Sequence, residues 1–202
     1  MVLVTSRYDI LKKGESAIDF SLQGVDGKTY SLASFAKAKT LLIIFMCNHC
    51  PYVKPKFDYF VELQKKYGPL GLQIVAINSN DPTDYPEDNL EGMKQIAIEK
   101  GFNFPYLVDK GQEIAKKYGA ICTPDPYLFT EKRLLAYHGR FDDAHKLPHS
   151  VAKTSEMEDA IKQVLASEQV TVLTMPSMGC SIKWNPGSEP KYFLDVLKSA
   201  KE

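Results

Sequence analysis

The sequence lacks any imbalance of charge, with 25 acidic residues set against 25 basic ones. That balance gives no footing for a nucleic-acid backbone or an anionic membrane surface, so neither is expected as a partner. Residues 1–16 carry charges throughout and hold no apolar stretch or small-residue cleavage site of a secretory signal. The longest apolar run, residues 41–47, is far too short to span a bilayer. A soluble, cytoplasmic protein is the expectation. Cysteine is scarce: four in 202 residues cannot make a disulfide scaffold, and in a reducing compartment such cysteines are more often catalytic or metal-bound than structural. Internal repeats and low-complexity segments are absent too. The chain is 44% hydrophobic and 25% charged, which excludes wholesale disorder and allows one domain with a sizeable core.

What is present alternates between two periods. Residues 19–22 read as a short strand, Asp26-Gly27 as a turn, and Thr29-Tyr30 as a returning strand, making an N-terminal β-hairpin. Residues 31–36 suit a short helix. Residues 40–46 form an unbroken apolar run, the pattern of a strand buried on both faces. Val53, Phe57, Phe60, Val61 and Leu63 then recur at helical spacing over residues 51–67, and Gly68-Pro69 ends that helix. A second buried strand at 72–77, a polar loop at 79–89 and a helix at 90–100 follow. Next come a strand at 104–108 and a helix capped by Asp109 and closed by Gly119. A hairpin at 127–129 and 134–138, a helix at 154–165, an irregular tail and a last helix at 191–198 complete the order. This alternation implies an α/β domain with a largely parallel centre.

The chemistry concentrates at Cys47-Asn48-His49-Cys50, between the buried strand and the amphipathic helix. Two cysteines separated by two residues close a tight disulfide, so one attacks a substrate disulfide and the other resolves the mixed intermediate. A helix N-terminus and a cationic His49 would both favour a thiolate, and Pro51 fits a first helical turn because it has no N–H to satisfy. Cys47 opens the turn and is expected to be the exposed nucleophile; Cys50, drawn into the helix, is expected to resolve. A structural zinc site on Cys47 and Cys50 with two ligands from Cys122, Cys180 or a histidine is the competing arrangement. The second CxxC or HxxxH that usually completes such a site is missing, so no metal is expected. His138, His145 and His149 match no metal-binding helical pair, and Arg140 with Asp142 and Asp143 reads as a local salt bridge.

Several stretches together resemble the thioredoxin-like superfamily, and within it the peroxiredoxin-like alkyl hydroperoxide reductase/thiol-specific antioxidant (redoxin) group. They are Asp19-Phe20-Ser21-Leu22, Asp26-Gly27, Cys47-Asn48-His49-Cys50-Pro51, Ala76-Ile77-Asn78-Ser79-Asn80, Thr123-Pro124-Asp125 and Gly139-Arg140-Phe141-Asp142-Asp143. The resemblance implies a thioredoxin fold: a central mixed sheet flanked by helices, with the N-terminal hairpin and a C-terminal extension. One domain over residues 1–202 is expected, its core at about 14–166 and its extension at about 167–202. Pro124 would be a cis-proline facing the CxxC, turning the Thr123 backbone toward the substrate, with Asn48 a further substrate contact. The implied activity is thiol–disulfide exchange in cell redox homeostasis, acting on protein or small-molecule disulfides with a thiol reductant and no cofactor beyond the Cys47–Cys50 pair.

The alternative is a thiol peroxidase, an antioxidant activity attacking peroxides through Cys47. The Pro-xxx-Thr/Ser-xx-Cys frame of a peroxiredoxin is absent, however: counting back from Cys47 gives Ile44 and Thr40, and from Cys50 gives Cys47 and Ile43. The position six residues before the first cysteine, where thioredoxins often keep a buried acid, is Leu41. A base would then come from Glu87, Asp81 or water. Cys122, two residues before Pro124, and Cys180, in the tail, are expected either to pack as core residues or, if the tail folds back so that Cys180 approaches Cys122 or the CxxC, to form a second thiol pair or relay.

Overall fold

Alternate side chains of residues 40–46 point to opposite faces of the sheet, and both faces are covered. In the computed structural model, which describes residues 2–199, Leu42, Ile44 and Met46 enter one apolar cluster while Leu41, Ile43 and Phe45 enter another. An unbroken apolar run is what such a strand requires, because neither face meets water.

In chain order the elements are β1 (Leu3–Thr5), β2 (Leu22–Gly24), β3 (Thr29–Tyr30), β4 (Thr40–Phe45), α1 (Phe57–Tyr67), β5 (Leu72–Asn78), α2 (Leu90–Glu99), β6 (Tyr106–Val108), α3 (Glu113–Tyr118), β7 (Cys122–Thr123), β8 (Asp125–Phe129), β9 (Leu135–His138), α4 (Glu156–Leu165), β10 (Met178–Ser181) and α5 (Lys191–Ser199). Seven strands make a mixed sheet in the order β3-β2-β6-β5-β4-β8-β9, with β4, β5 and β6 parallel and the remainder antiparallel. Residues of α1, α2 and α4 cover one face, and those of α3 and α5 the other. This is the mixed sheet flanked by helices of a thioredoxin fold. No helix among the described residues is long and apolar enough to cross a membrane.

The elements nearest the cysteines depart from expectation in three places. The helix expected from residue 51 begins as a turn over residues 51–53 and a 3-10 segment at Lys54–Lys56, and becomes α-helical at Phe57. The tail holds a strand, β10, where an irregular segment was expected. The N-terminus also holds β1, only three residues long. These two join β7 in a second sheet of order β1-β10-β7, antiparallel throughout. Short strands with little alternation carry no period-2 signal; pairing alone creates them.

The turn after the cysteines is fastened by a buried ion pair. The Lys56 ammonium lies 2.6 and 2.7 Å from the two Asp142 carboxylate oxygens, and both residues are buried. Asp142 also accepts from the Ala144 amide and from His149 Nδ1. Removing one partner strands a buried charge. Lys56→Met is therefore expected to lose about 3–5 kcal/mol, and the double change with Asp142→Leu to regain part of it, read as denaturation midpoints.

Candidate functional site

One residue, Met46, separates Cys47 from β4, and its amide still bonds to the Ile77 carbonyl at 2.9 Å. The sheet therefore delivers the first cysteine to its carboxyl edge. Facing it is the Thr123–Pro124 peptide, which is cis, as the resemblance implies. The Cys47 sulfur sits 3.5 Å from the Thr123 hydroxyl and the Cys50 sulfur 3.1 Å from the Thr123 carbonyl oxygen. Cys47, Cys50, Thr123 and Pro124 thus come together as expected.

The expected exposure of Cys47 does not hold. Both Cys47 and Cys50 are 0% exposed. Burial pushes the Cys47 thiol up, and its hydrogen bond to Cys50 and the nearby Asp88 charge push the same way, against a smaller opposing contribution from the Thr123 hydroxyl. Cys50 moves in the other direction. Its sulfur receives hydrogen bonds from the Cys180 thiol first and the Cys47 thiol second, and these outweigh burial. As a thiol, Cys50 donates to the Thr123 carbonyl; as a thiolate, it has two thiol donors. Two donors outweigh one acceptor, so Cys50 ionises first. Cys180 is raised chiefly because it donates to Cys50.

The turn itself is clamped by a residue the sequence did not single out. Asp88 accepts from the Asn48 amide at 2.7 Å and the His49 amide at 3.2 Å through Oδ1, while Oδ2 meets His49 Nδ1 at 2.5 Å and Asn80 Nδ2 at 2.8 Å. Asp88 is buried although it lies in the polar stretch 79–89. The only sequence signal was that polar loop, in which Glu87 and Asp81 seemed better placed. In the structure Glu87 contributes its carbonyl to Asn48 Nδ2, and Asp81 lies on the rim of a cleft. Asn48 also accepts from the Tyr106 hydroxyl at 3.0 Å, so its side chain is a structural tie within the site.

His49 is turned to Asp88 and stacked on Tyr85, with ring centroids 3.9 Å apart and planes 12° from parallel. The expected cationic neighbour of the thiolate is thus bound to a carboxylate instead. A Cys47 sulfur, a His49 nitrogen and an Asp88 oxygen lie within 4.8 Å of one another. These are three ligands where a structural zinc site takes four. Behind Asp88 a cleft of about 670 Å³ opens, lined by Asn78, Asn80, Asp81, Lys110 and Asn185 among others.

Cys122 and Cys180, expected as a possible second pair, are kept apart. Cys180 lies opposite Thr123 and Ser181 opposite Cys122 in the β7–β10 ladder, so the two cysteines project to opposite faces. Cys180 shares the apolar cluster of Cys47 and Cys50, and Cys122 belongs to the other. The remaining polar candidates are engaged elsewhere: Arg140 with Glu156 rather than Asp142 or Asp143, His138 with the buried Asp125 at 2.7 Å, and His149 with Asp142.

Residues 13–138 match the model of the AhpC/TSA family. The chain is similar to an uncharacterized conserved protein from Geobacillus kaustophilus, at 40% identity and a TM-score of 0.85 over 93% of this chain and 98% of that one. A hypothetical protein from Sinorhizobium meliloti 1021 is similar at 38% identity and a TM-score of 0.84, covering 91% and 99%. Among curated relatives, the thiol-disulfide oxidoreductase ResA of Bacillus cereus is 32% identical over 123 residues, 61% of this chain and 66% of that one. The match spans just under two thirds of that relative's length.

Because the Asp88 charge disfavours a Cys47 thiolate, Asp88→Asn is expected to lower the Cys47 pKa. The measurement is an ultraviolet thiolate titration in a Cys50→Ser, Cys180→Ser background. An unchanged or higher pKa would reject this role for Asp88.

Proposed function

The chain belongs to the AhpC/TSA family, and on that premise we propose that it is a thiol–disulfide oxidoreductase that cycles Cys47 and Cys50 between dithiol and disulfide. The observation that carries this is the placement of both sulfurs on the Thr123–Pro124 peptide, one at the hydroxyl and one at the carbonyl. The oxidoreductase name of the ResA relative supports it. The peroxidase alternative has no comparable support, since the proline and hydroxyl of the peroxiredoxin frame are absent from this turn.

The Cys47 thiol hydrogen-bonds to Cys50, so Cys50 is the base nearest to it. When a substrate disulfide arrives, the Cys47 proton passes to Cys50 and the Cys47 sulfur attacks. One substrate sulfur leaves as a thiolate and takes up a proton, and a Cys47–substrate mixed disulfide remains. Cys50, ionised in turn, attacks Cys47 and releases the second substrate thiol, leaving the Cys47–Cys50 disulfide. Asp88 holds the Asn48 and His49 amides throughout, so the turn keeps its shape.

A thiol reductant restores the dithiol. Protein or small-molecule disulfides are the substrates in this scheme, with no metal or organic cofactor and a cytoplasmic setting. The test is capture: Cys50→Ser is expected to accumulate mixed disulfides through Cys47 and Cys47→Ser to accumulate none, with insulin reduction lost in both. Equal capture by both variants would remove the assignment of Cys47.

Hydrogen bonds from two thiols stabilise the reduced form through Cys50, a cause that replaces the one expected of His49. The reduction potential is accordingly expected to lie above that of thioredoxin, at about −270 mV. Titration against a glutathione redox buffer reads it, and a value at or below that figure counts against the Cys50 thiolate.

A further inference from the structure

The tail strand lies where a substrate would. In thioredoxin-like proteins the residue before the cis-proline turns its backbone toward the substrate. Here that residue, Thr123, is already paired, antiparallel, with Cys180. The ladder is extended on one side by the bond from the Ile182 amide to the Ile121 carbonyl at 2.9 Å. On the other side the Ser177 hydroxyl donates to the Pro124 carbonyl.

Strand β10 is also pressed unusually close. A Cβ on Gly179 would stand 1.9 Å from the Thr123 carbonyl oxygen, so no other residue fits without moving the strand. Directly opposed residues of an antiparallel pair share a face. Thr123 points its hydroxyl at Cys47, so Cys180 faces the same dithiol, and its thiol hydrogen-bonds to the Cys50 sulfur.

We propose that β10 is an internal substrate strand and that Cys180 is a third redox thiol, exchanging with the CxxC disulfide at Cys50. The step is an isomerisation and needs no outside oxidant once the Cys47–Cys50 disulfide exists. The Cys180 sulfur loses its proton and attacks Cys50. The Cys47–Cys50 bond breaks, the Cys50–Cys180 bond forms, and Cys47 leaves as a thiolate that takes the proton. Electrons and protons are conserved, and the disulfide has moved from the turn to the tail. Cys47 is then a free thiol beside Thr123, and an external thiol reduces the tail disulfide. Cys122 takes no part, since it faces the other side of β7. This inference rests on the proposed redox cycle of the dithiol, but its readout is a mapped bond rather than turnover.

The Cys47→Ser chain, treated with one equivalent of diamide, alkylated in denaturant and digested with trypsin without reduction, provides the test. The expected product in the monomer fraction joins the peptide of residues 40–56 to that of residues 163–183, with the peptide of residues 118–132 alkylated. Recovery of 163–183 fully alkylated, or joined to 118–132, would overturn the proposal. In the wild-type chain the same treatment is expected to give this link alongside the Cys47–Cys50 loop; the loop alone, with Cys180 fully alkylated, is the overturning result.

Gly179→Ala displaces the strand without touching a thiol. It is expected to cut the yield of the link about tenfold or more, because ends that no longer meet lose their effective concentration. An unchanged yield would reject the register as its cause. A chain that never links Cys180 yet reduces insulin rejects this inference and leaves the dithiol cycle standing; one that links Cys180 but reduces no disulfide keeps the Cys50–Cys180 link and rejects the disulfide-reducing function on which the exchange rests.

Discussion

The site depends on one peptide unit, Thr123–Pro124. Its threonine hydroxyl meets Cys47, its threonine carbonyl meets Cys50, and its backbone ladder carries Cys180. Three sulfurs thus converge on it where β7 ends, and each constrains the others. A sulfur that donates to the carbonyl is held back from ionising, and one that accepts from neighbouring thiols is pushed toward it. Cys50 feels both, and the balance of donors makes it the sulfur that ionises first. The two cysteines of the turn are therefore unequal because of contacts made across the fold, more than because of their order in the chain.

Asp88 supplies the second constraint. A carboxylate buried away from solvent is costly unless donors surround it, and this one has four. Two of them are the amides of Asn48 and His49, the residues between the cysteines. The turn and the acid stabilise each other: the amides satisfy the charge, and the charge fixes the amides. The charge also acts on Cys47, where it opposes ionisation. A buried acid, missing at Leu41, does reach the turn from the loop after β5, but it bonds to the Asn48 and His49 amides, the His49 ring and Asn80.

Much of the frame was legible in the sequence. The buried strand β4 announced itself as an apolar run, α1 by its helical spacing, and the β8–β9 hairpin by two apolar stretches around a polar turn. Gln112 holds the N-cap position of α3, but the Asp109 carboxylate still accepts from the Ile114 and Ala115 amides of its first turn. The misses share a cause. β1 and β10 are only three and four residues long, and they exist because β10 pairs with β1 on one side and β7 on the other. Asp88 sits among several acids of similar local context, and nothing in that context says which one is buried. His49 looked like a partner of the thiols because it is adjacent to them in the chain, but its ring is drawn away by Asp88 and Tyr85.

The sequence by itself determined the fold class, the dithiol turn and its place at the end of a buried strand, and the proline that faces it. The α/β class and the place of the turn follow from local rules: hydrophobic period, spacing of the cysteines, and the residue types that stop helices; the thioredoxin fold and the proline that faces the turn follow from the resemblance of the motifs to the redoxin group. The tertiary structure decided in which direction each thiol's acidity moves, which acid holds the turn, and that Cys180 rather than Cys122 reaches it. Those outcomes turn on burial and on strand register, in which a shift of one residue sends every side chain to the opposite face. In the β7–β10 ladder, that register puts Cys180 at Thr123 and faces it toward the dithiol.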